Sequence, residues 1–435
     1  MKRAVFLAAL LVGIVWNLRL AMADLAARRN TPDGTRLAMR WMPGDGAYAA
    51  QLADELFASD PGEARSLLER AVRLNRFDAA SWIQLGLLSE AGNDVPQAEK
   101  SLLQAAQVDS TFLPGWSLAN FYFRHQQTDR FWNWAQRAVQ MAPDDASPLF
   151  RLAWFASPNA SEIENKLQMK RPAVEAQFVN FLITQGDAPA VAQAASHLLA
   201  ASSGESTDVL LSACDWLLAQ KRPELALGLW NGLAKRISYP APRVGSLVTN
   251  SSFGRPPISH GFDWHVMTVD GVSSYWNADP NVLGFEFSGE EPDGFTLMTQ
   301  TVPVQAGKSY ALTVDYRSSG IAPGSGLSWA ISDERTGAVL ARTPSLSSEL
   351  ERETGDQTNA CFRAPDGATF IRLSLDYQRQ PGTVRVEGKL ALKKVSLSPG
   401  NCLEKKNSSV GGASETTLKK QRVRGIDRLP RPING

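Results

Sequence analysis

Hydrophobic and polar residues alternate along this chain with two different periods, and the change between them is abrupt. From about Tyr48 to Arg236, Ala-, Leu- and Trp-rich segments repeat every three to four residues, the spacing of helices with one buried face. Polar Gly- or Pro-containing links, Ser89-Glu90-Ala91-Gly92-Asn93-Asp94, Pro143-Asp144-Asp145 and Ser157-Pro158-Asn159, divide those segments. Further helical segments are predicted over 178–185, 190–200, 208–220 and 223–236. After Tyr239-Pro240-Ala241-Pro242 the helical period stops, and short runs alternate every second residue between Gly, Pro, Asp and Ser boundaries. These runs predict strands over 284–287, 295–304, 309–316, 327–332, 369–377 and 383–397. In the fifth run Phe370, Arg372, Ser374 and Asp376 oppose Ile371, Leu373 and Leu375, as a half-buried antiparallel sheet requires, and two such sheets would share a core. The fold class read from the pattern is therefore multidomain: an all-α solenoid followed by an antiparallel β-sandwich.

Within the helical part the spacing itself repeats. Ala64 and Ala98 stand 34 residues apart, as do Ala71 and Ala105 and the pair Trp82 and Trp116, while Ala138 follows Ala105 by 33. Trp82, Leu85 and Gly86 in one helix, with Ala98, Leu102 and Ala105 in the next, resemble the tetratricopeptide repeat, most clearly over residues 45–146. That resemblance implies stacked helical hairpins and a groove for a protein partner. Residues 45–236 are read as this array, its later hairpins being degenerate or capping repeats. An aromatic cluster of Trp116, Phe121, Tyr122, Phe123, Phe131, Trp132 and Trp134 admits two readings, core packing or a surface that binds peptide or glycan. Trp116, Tyr122, Arg124 and Arg130 are its candidate protein-binding residues, although both arginines also suit a solvated helix end.

Ahead of the array, Lys2 and Arg3 precede an uncharged apolar run from Ala4 to Trp16, and Arg19 follows. Residues 1–24 are expected to be an export element. Besides the plain reading of a buried N-terminal helix, one alternative is a signal peptide cut near Ala23 and the other a single membrane anchor over 4–22 with Arg19 snorkelling. Both put the body of the protein outside the cytoplasm: in a bacterium, the periplasm beside the inner membrane, or the exterior.

Residues 244–398 carry a second resemblance. Val302-Pro303-Val304-Gln305-Ala306-Gly307-Lys308-Ser309-Tyr310, the terminal segment 384–397, and Asn250-Ser251-Ser252-Phe253 followed by Gly261-Phe262-Asp263-Trp264 resemble the jelly-roll carbohydrate-binding-like domains of secreted and surface proteins. The combined architecture is similar to bacterial tetratricopeptide proteins linked to exopolysaccharide or surface-glycan assembly, and the resemblance implies envelope or polysaccharide-assembly proteins as partners, with glycan as a ligand. Sugar recognition uses aromatic faces beside directional polar groups, so Trp264, His265, Tyr275, Trp276, Asn277 and Asp279 are the candidate ligand-binding residues, with Trp329 and Arg335 a second set. Trp264 equally suits an anchor of the sandwich.

Composition narrows the chemistry. In 435 residues, 45 Lys plus Arg balance 44 Asp plus Glu, which gives no global pull toward nucleic acid. Four His and three Cys leave little material for a clustered metal site, and no cofactor is expected. Cys361 and Cys402 pair only if strands bring them together; Cys214 lies in an apolar helical segment. Asp279, Glu290, Glu291 and Asp293 form no recognisable calcium loop. No phosphate-cradling loop, zinc-protease motif or nucleophile elbow occurs. The carboxylate pairs Glu286 with Glu290 and Asp376 with Glu387 are the material for the alternative reading, a carbohydrate-active hydrolase or its binding accessory. The expected function is a non-enzymatic scaffold. Residues 404–435, with eight Lys or Arg against three acidic residues, predict a disordered basic tail from about residue 400.

Overall fold

A computed structural model describes residues 2–143, 145–201, 204–242, 246–347 and 356–400. The basic tail and Cys402 lie outside the described residues, so the expectations for them and for a Cys361–Cys402 bond do too. The chain divides into two units: Met1–Ala241 with Ser259–Phe262, and Pro242–Ile258 with Asp263–Gly435.

The first unit is built of helices that pair in sequence order. They are α1 (Lys2–Ala27), α2 (Pro32–Trp41), α3 (Gly46–Leu56), α4 (Pro61–Leu74), α5 (Ala79–Ala91), α6 (Val95–Val108), α7 (Phe112–Arg124), α8 (Thr128–Gln140), α9 (Ser147–Ala156), α10 (Ala160–Leu167), α11 (Pro172–Gln185), α12 (Ala188–Ala201), α13 (Thr207–Ala219) and α14 (Pro223–Arg236). Local chemistry sets their ends. Asp60, Asp78 and Asp94 cap α4, α5 and α6 by accepting from the backbone N–H groups of Glu63, Ser81 and Gln97, and proline stands in the first turn of α4 and of α6. The periodic small residues make the close contacts. Ala64, Ala71, Ala98, Ala105 and Ala138 are all buried, and a Cβ on Gly86 would lie 2.7 Å from Leu102 Cγ, so only glycine lets α5 approach α6 this closely. Helical pairing starts before residue 45. Ala23, Ala26 and Ala27 of α1 are buried with Ala38 of α2, against Trp41, Met42 and Tyr48. Upstream, the same α1 exposes its apolar side chains, and its stretch Val5–Ala27 is long and apolar enough to cross a membrane, with a mean hydropathy of 2.0.

The second unit is a two-sheet antiparallel sandwich. Its strands are β1 (His265–Val266), β2 (Val272–Ala278), β3 (Asn281–Ser288), β4 (Gly294–Pro303), β5 (Ser309–Ser319), β6 (Leu327–Asp333), β7 (Val339–Arg342), β8 (Asp356–Arg363), β9 (Phe370–Gln378) and β10 (Glu387–Pro399). One sheet runs β1-β4-β9-β6-β7 and the other β2-β3-β10-β5-β8. Ile371, Leu373, Leu375 and Tyr377 of β9 meet Leu312, Val314, Leu390, Leu392 and Val395 of the facing sheet in one core, around Trp264 and Trp329. Arg372 and Gln378 of β9 are exposed on the opposite face and Asp376 is half-buried there, as the alternation predicts.

Candidate functional site

The outer face of the first sheet is the floor of a groove of about 760 Å³. Strand register assembles that floor in rows. Thr296 of β4 pairs with Asp376 of β9, which pairs with Ser328 of β6, and all three line the groove; the next row, Thr299, Ser374 and Ala330, supports it from outside the described lining, and Ala330 pairs with Arg342 of β7, which lines it. Alternation sends every second side chain of these strands outward, so the rows carry short polar groups above an apolar layer. Asp376 is the hub. Thr296 Oγ1 donates to its Oδ1 at 2.9 Å, Ser374 Oγ to its Oδ2 at 3.0 Å, and Arg342 Nη1 lies 3.5 Å from Oδ2. Gln378, Gln380, Thr343 and Ser345 extend the polar lining, while Phe295, its ring 4.9 Å from that of Tyr377, supplies one apolar wall. At one end Gly326, at φ +93°, brings β6 so close to Gln378 O that a Cβ would collide with it. The lining presents hydrogen-bond donors and acceptors over an extended face, and Asp376 is the one carboxylate among the described residues that line it.

The ligand-binding residues expected from the sequence are not gathered in this groove. Trp264 is fully buried, its ring edge-on to Trp329 at 5.7 Å, because it fills the space between the sheets; it offers no face to a sugar. Trp329 is buried beside it, and Arg335 stands in the turn after β6. His265 lies in β1, paired with Thr299. Tyr275, Trp276 and Asn277 lie on β2, the edge strand of the second sheet. The Tyr275 ring covers the bare backbone of Gly284 and is 43% exposed, whereas the Trp276 indole donates to Phe253 O at 2.7 Å and packs on the core. Asn277 Oδ1 accepts the Asp279 N–H at 3.1 Å and shapes the following turn. Of the carboxylates expected as pairs, Glu286 binds Lys389 on the second sheet at 2.7 Å, and Asp376 and Glu387 belong to different sheets. The groove residues carried a signal in the alternation of β9, but its partners on β4 and β6 follow only from register.

In the helical unit the aromatic cluster is mainly core. Phe121, Tyr122, Phe131 and Trp132 are buried, and Trp116 stacks on Phe112 half-buried. Tyr122 donates to Glu99 at 2.8 Å, and burial together with that bond pushes its hydroxyl pKa up to about 12. Arg130 Nη1 reaches the same Glu99 at 2.5 Å, while Arg124 grips Glu90 through two N–H groups at 2.9 and 2.6 Å. The two arginines therefore clamp neighbouring hairpins. Tyr122 and Arg124 also line, with Phe123 and Phe131, a cavity of about 400 Å³. A smaller one, about 240 Å³, is lined by Glu164, Glu175, Phe178 and His197. Burial, and then the nearby Glu164, raises the Glu175 pKa; burial raises that of Glu164 although His197 lies 3.2 Å away and lowers it.

No family model matches this chain, and comparison with curated proteins found no match. Solved structures similar to its parts include YrrB, described as a TPR protein with an unusual peptide-binding site, at 13% identity and a TM-score of 0.26, covering 47% of this chain and 93% of that one. MamA from Desulfovibrio magneticus RS-1 is 13% identical, with a TM-score of 0.30 and coverage of 39% and 93%. A CBM4 structure is 12% identical, with a TM-score of 0.27 and coverage of 35% and 99%. At these scores the fold rests on the chain's own elements: a tetratricopeptide-like helical array followed by an antiparallel β-sandwich.

Proposed function

We propose that this protein is a non-enzymatic scaffold of the cell envelope, in which the helical array holds protein partners and the sandwich groove binds glycan. The row of Thr296, Asp376 and Ser328, extended by Arg342 and Gln378, carries the reading. Sugar hydroxyls each donate and accept, so they match a floor of alternating short donors and acceptors, with Asp376 directing two of them. A hydrolase of the usual kind needs two carboxylates flanking the bond, and the described lining supplies one. The cavity beside Tyr122 and Arg124 is the corresponding seat for an extended partner segment. Export through the N-terminal helix would put both surfaces outside the cytoplasm, where envelope polysaccharide and its assembly proteins are the available ligands.

A glycan array probed with the whole chain tests the sandwich half. Binding to a polysaccharide that falls about tenfold in Asp376→Ala, a loss of about 1.4 kcal/mol, and survives in Tyr275→Ala is the expected result. A folded chain that binds no acidic or neutral glycan overturns it. Release of reducing ends from a bound polysaccharide would favour the hydrolase instead.

A further inference from the structure

We propose that α1 is a retained membrane anchor which is at the same time the first helix of the array, so that the scaffold joins the bilayer without a linker. The inference rests on reading this helix as an export element, and it decides between cleavage and retention. Its first support is packing. Ala23 is completely buried, Ala26 and Ala27 nearly so, and Ala38 of α2 lies against them. A Cβ on Gly34 would lie 2.6 Å from Ala26 O, so α2 is built for contact with the end of α1. Gln51 Nε2 of α3 donates to Ala27 O at 3.2 Å. Cutting near Ala23 would remove Ala23 itself and the two Arg19 bonds to Trp41 O, and would leave Asp24–Ala27, which carry the remaining contacts to α2 and α3, as a short chain end in place of a helix.

The second support is the earlier stretch of the same helix, which is exposed around its circumference. Val5, Phe6, Leu11, Val12 and Ile14 are 60–68% exposed, and the exposed apolar face continues through Leu18, Leu20 and Met22 to Leu25. From Val5 to Met22 is about 27 Å at about 1.5 Å per residue, close to the hydrocarbon thickness of a bilayer, about 30 Å; the charged Asp24, 2.7 Å from Arg28, lies beyond that stretch. Arg19 is the cation that interrupts this run, and it is turned away from lipid: its Nε and Nη2 donate to Trp41 O at 3.0 and 2.7 Å, tying it to α2. Lys2 and Arg3 flank one end and Arg28 and Arg29 the other. Residues 1–42 carry seven Lys or Arg against two acidic residues, Asp24 and Asp33, a balance that suits anionic headgroups. The occupant of this face is therefore a phospholipid bilayer, and Trp41 is placed for its interfacial layer.

The test uses the full chain expressed in an exporting bacterium. Intact mass of the chain recovered from the membrane fraction should include residues 2–27, and after reconstitution in 3:1 phosphatidylcholine–phosphatidylglycerol vesicles it should resist alkaline carbonate. Leu11→Arg with Val12→Arg, at positions 65% and 67% exposed, should reduce retention by about tenfold or more while leaving thermal unfolding unchanged. Gly34→Val should do the opposite, lowering the melting temperature while retention persists. A mature chain starting between residues 22 and 30 overturns the anchor but leaves export standing; a full-length chain that carbonate strips from vesicles overturns the span. An unchanged melting temperature in Gly34→Val overturns the packing role. None of these readouts depends on glycan binding.

Discussion

Gly326 shows how a single backbone position holds the groove open. At φ +93°, with Gln378 O where a side chain would begin, it tolerates no Cβ. Gly326→Ala should cost about 1–3 kcal/mol of the sandwich's stability, seen as a lower urea midpoint, and should weaken glycan binding with it because Gln378 lines the groove. Glu175 makes a prediction of opposite kind. Its pKa is raised in the folded chain by burial and by Glu164, so the native state holds the proton more tightly than the unfolded one. The resulting stability is present below the ordinary carboxylate pKa and is lost as pH rises through the raised folded value. Glu175→Gln should therefore raise the melting temperature at pH 7 and leave it nearly unchanged at pH 4; a gain equal at both values would refute the mechanism. Trp264 illustrates the limit of residue type as evidence: an aromatic beside Asp263 suits a sugar platform and a core anchor equally, and only its position between the sheets separates the two.

Individual helices and strands were legible where their own side chains set both period and ends. The polar link ending at Asp94 divides two helices in the sequence, and Asp94 caps α6 in the structure; Asp60 caps α4 in the same way, and Asp60→Ala should lower the stability of the helical unit by about 1 kcal/mol, measurable by chemical denaturation at 222 nm. The 34-residue spacing likewise identified α5 and α6, because Trp82 and Ala98 recur at that offset as Trp116 of α7 and Ala64 of α4, at matching places in neighbouring hairpins. Four strands were not legible. β1 has two residues and β7 four, too short for a period to register; β8 buries Thr358, Ala360 and Phe362, a weakly apolar face; and β2 is an edge strand with a largely exposed polar pattern. α2 was missed for another reason. Its buried face is Gly34, Thr35 and Ala38, small residues that raise no hydrophobic signal until α1 lies against them. The groove was hidden in the same way, since Thr296, Ser328 and Asp376 are 80 residues apart at the extremes and are joined only by strand register.

At the scale of the whole molecule, near-zero net charge is an average over unlike parts, from the basic first hairpin to the basic residues 404–435. The two units have separate cores, one of stacked Ala, Leu and aromatic side chains between helices and one sealed between two sheets. Two cores predict two unfolding transitions in calorimetry, and a ligand should move only the transition of the unit that binds it, because linkage acts through the native state it occupies. A glycan present at about a hundred times its dissociation constant contributes about 2.7 kcal/mol. For a unit of this size that raises the melting temperature by about 5–11 °C. The shift should fall on the transition that Gly326→Ala lowers, and the transition lowered by Asp60→Ala should stay where it is. Equal movement of both would mean that binding is not confined to the sandwich, and the groove would then be the wrong site.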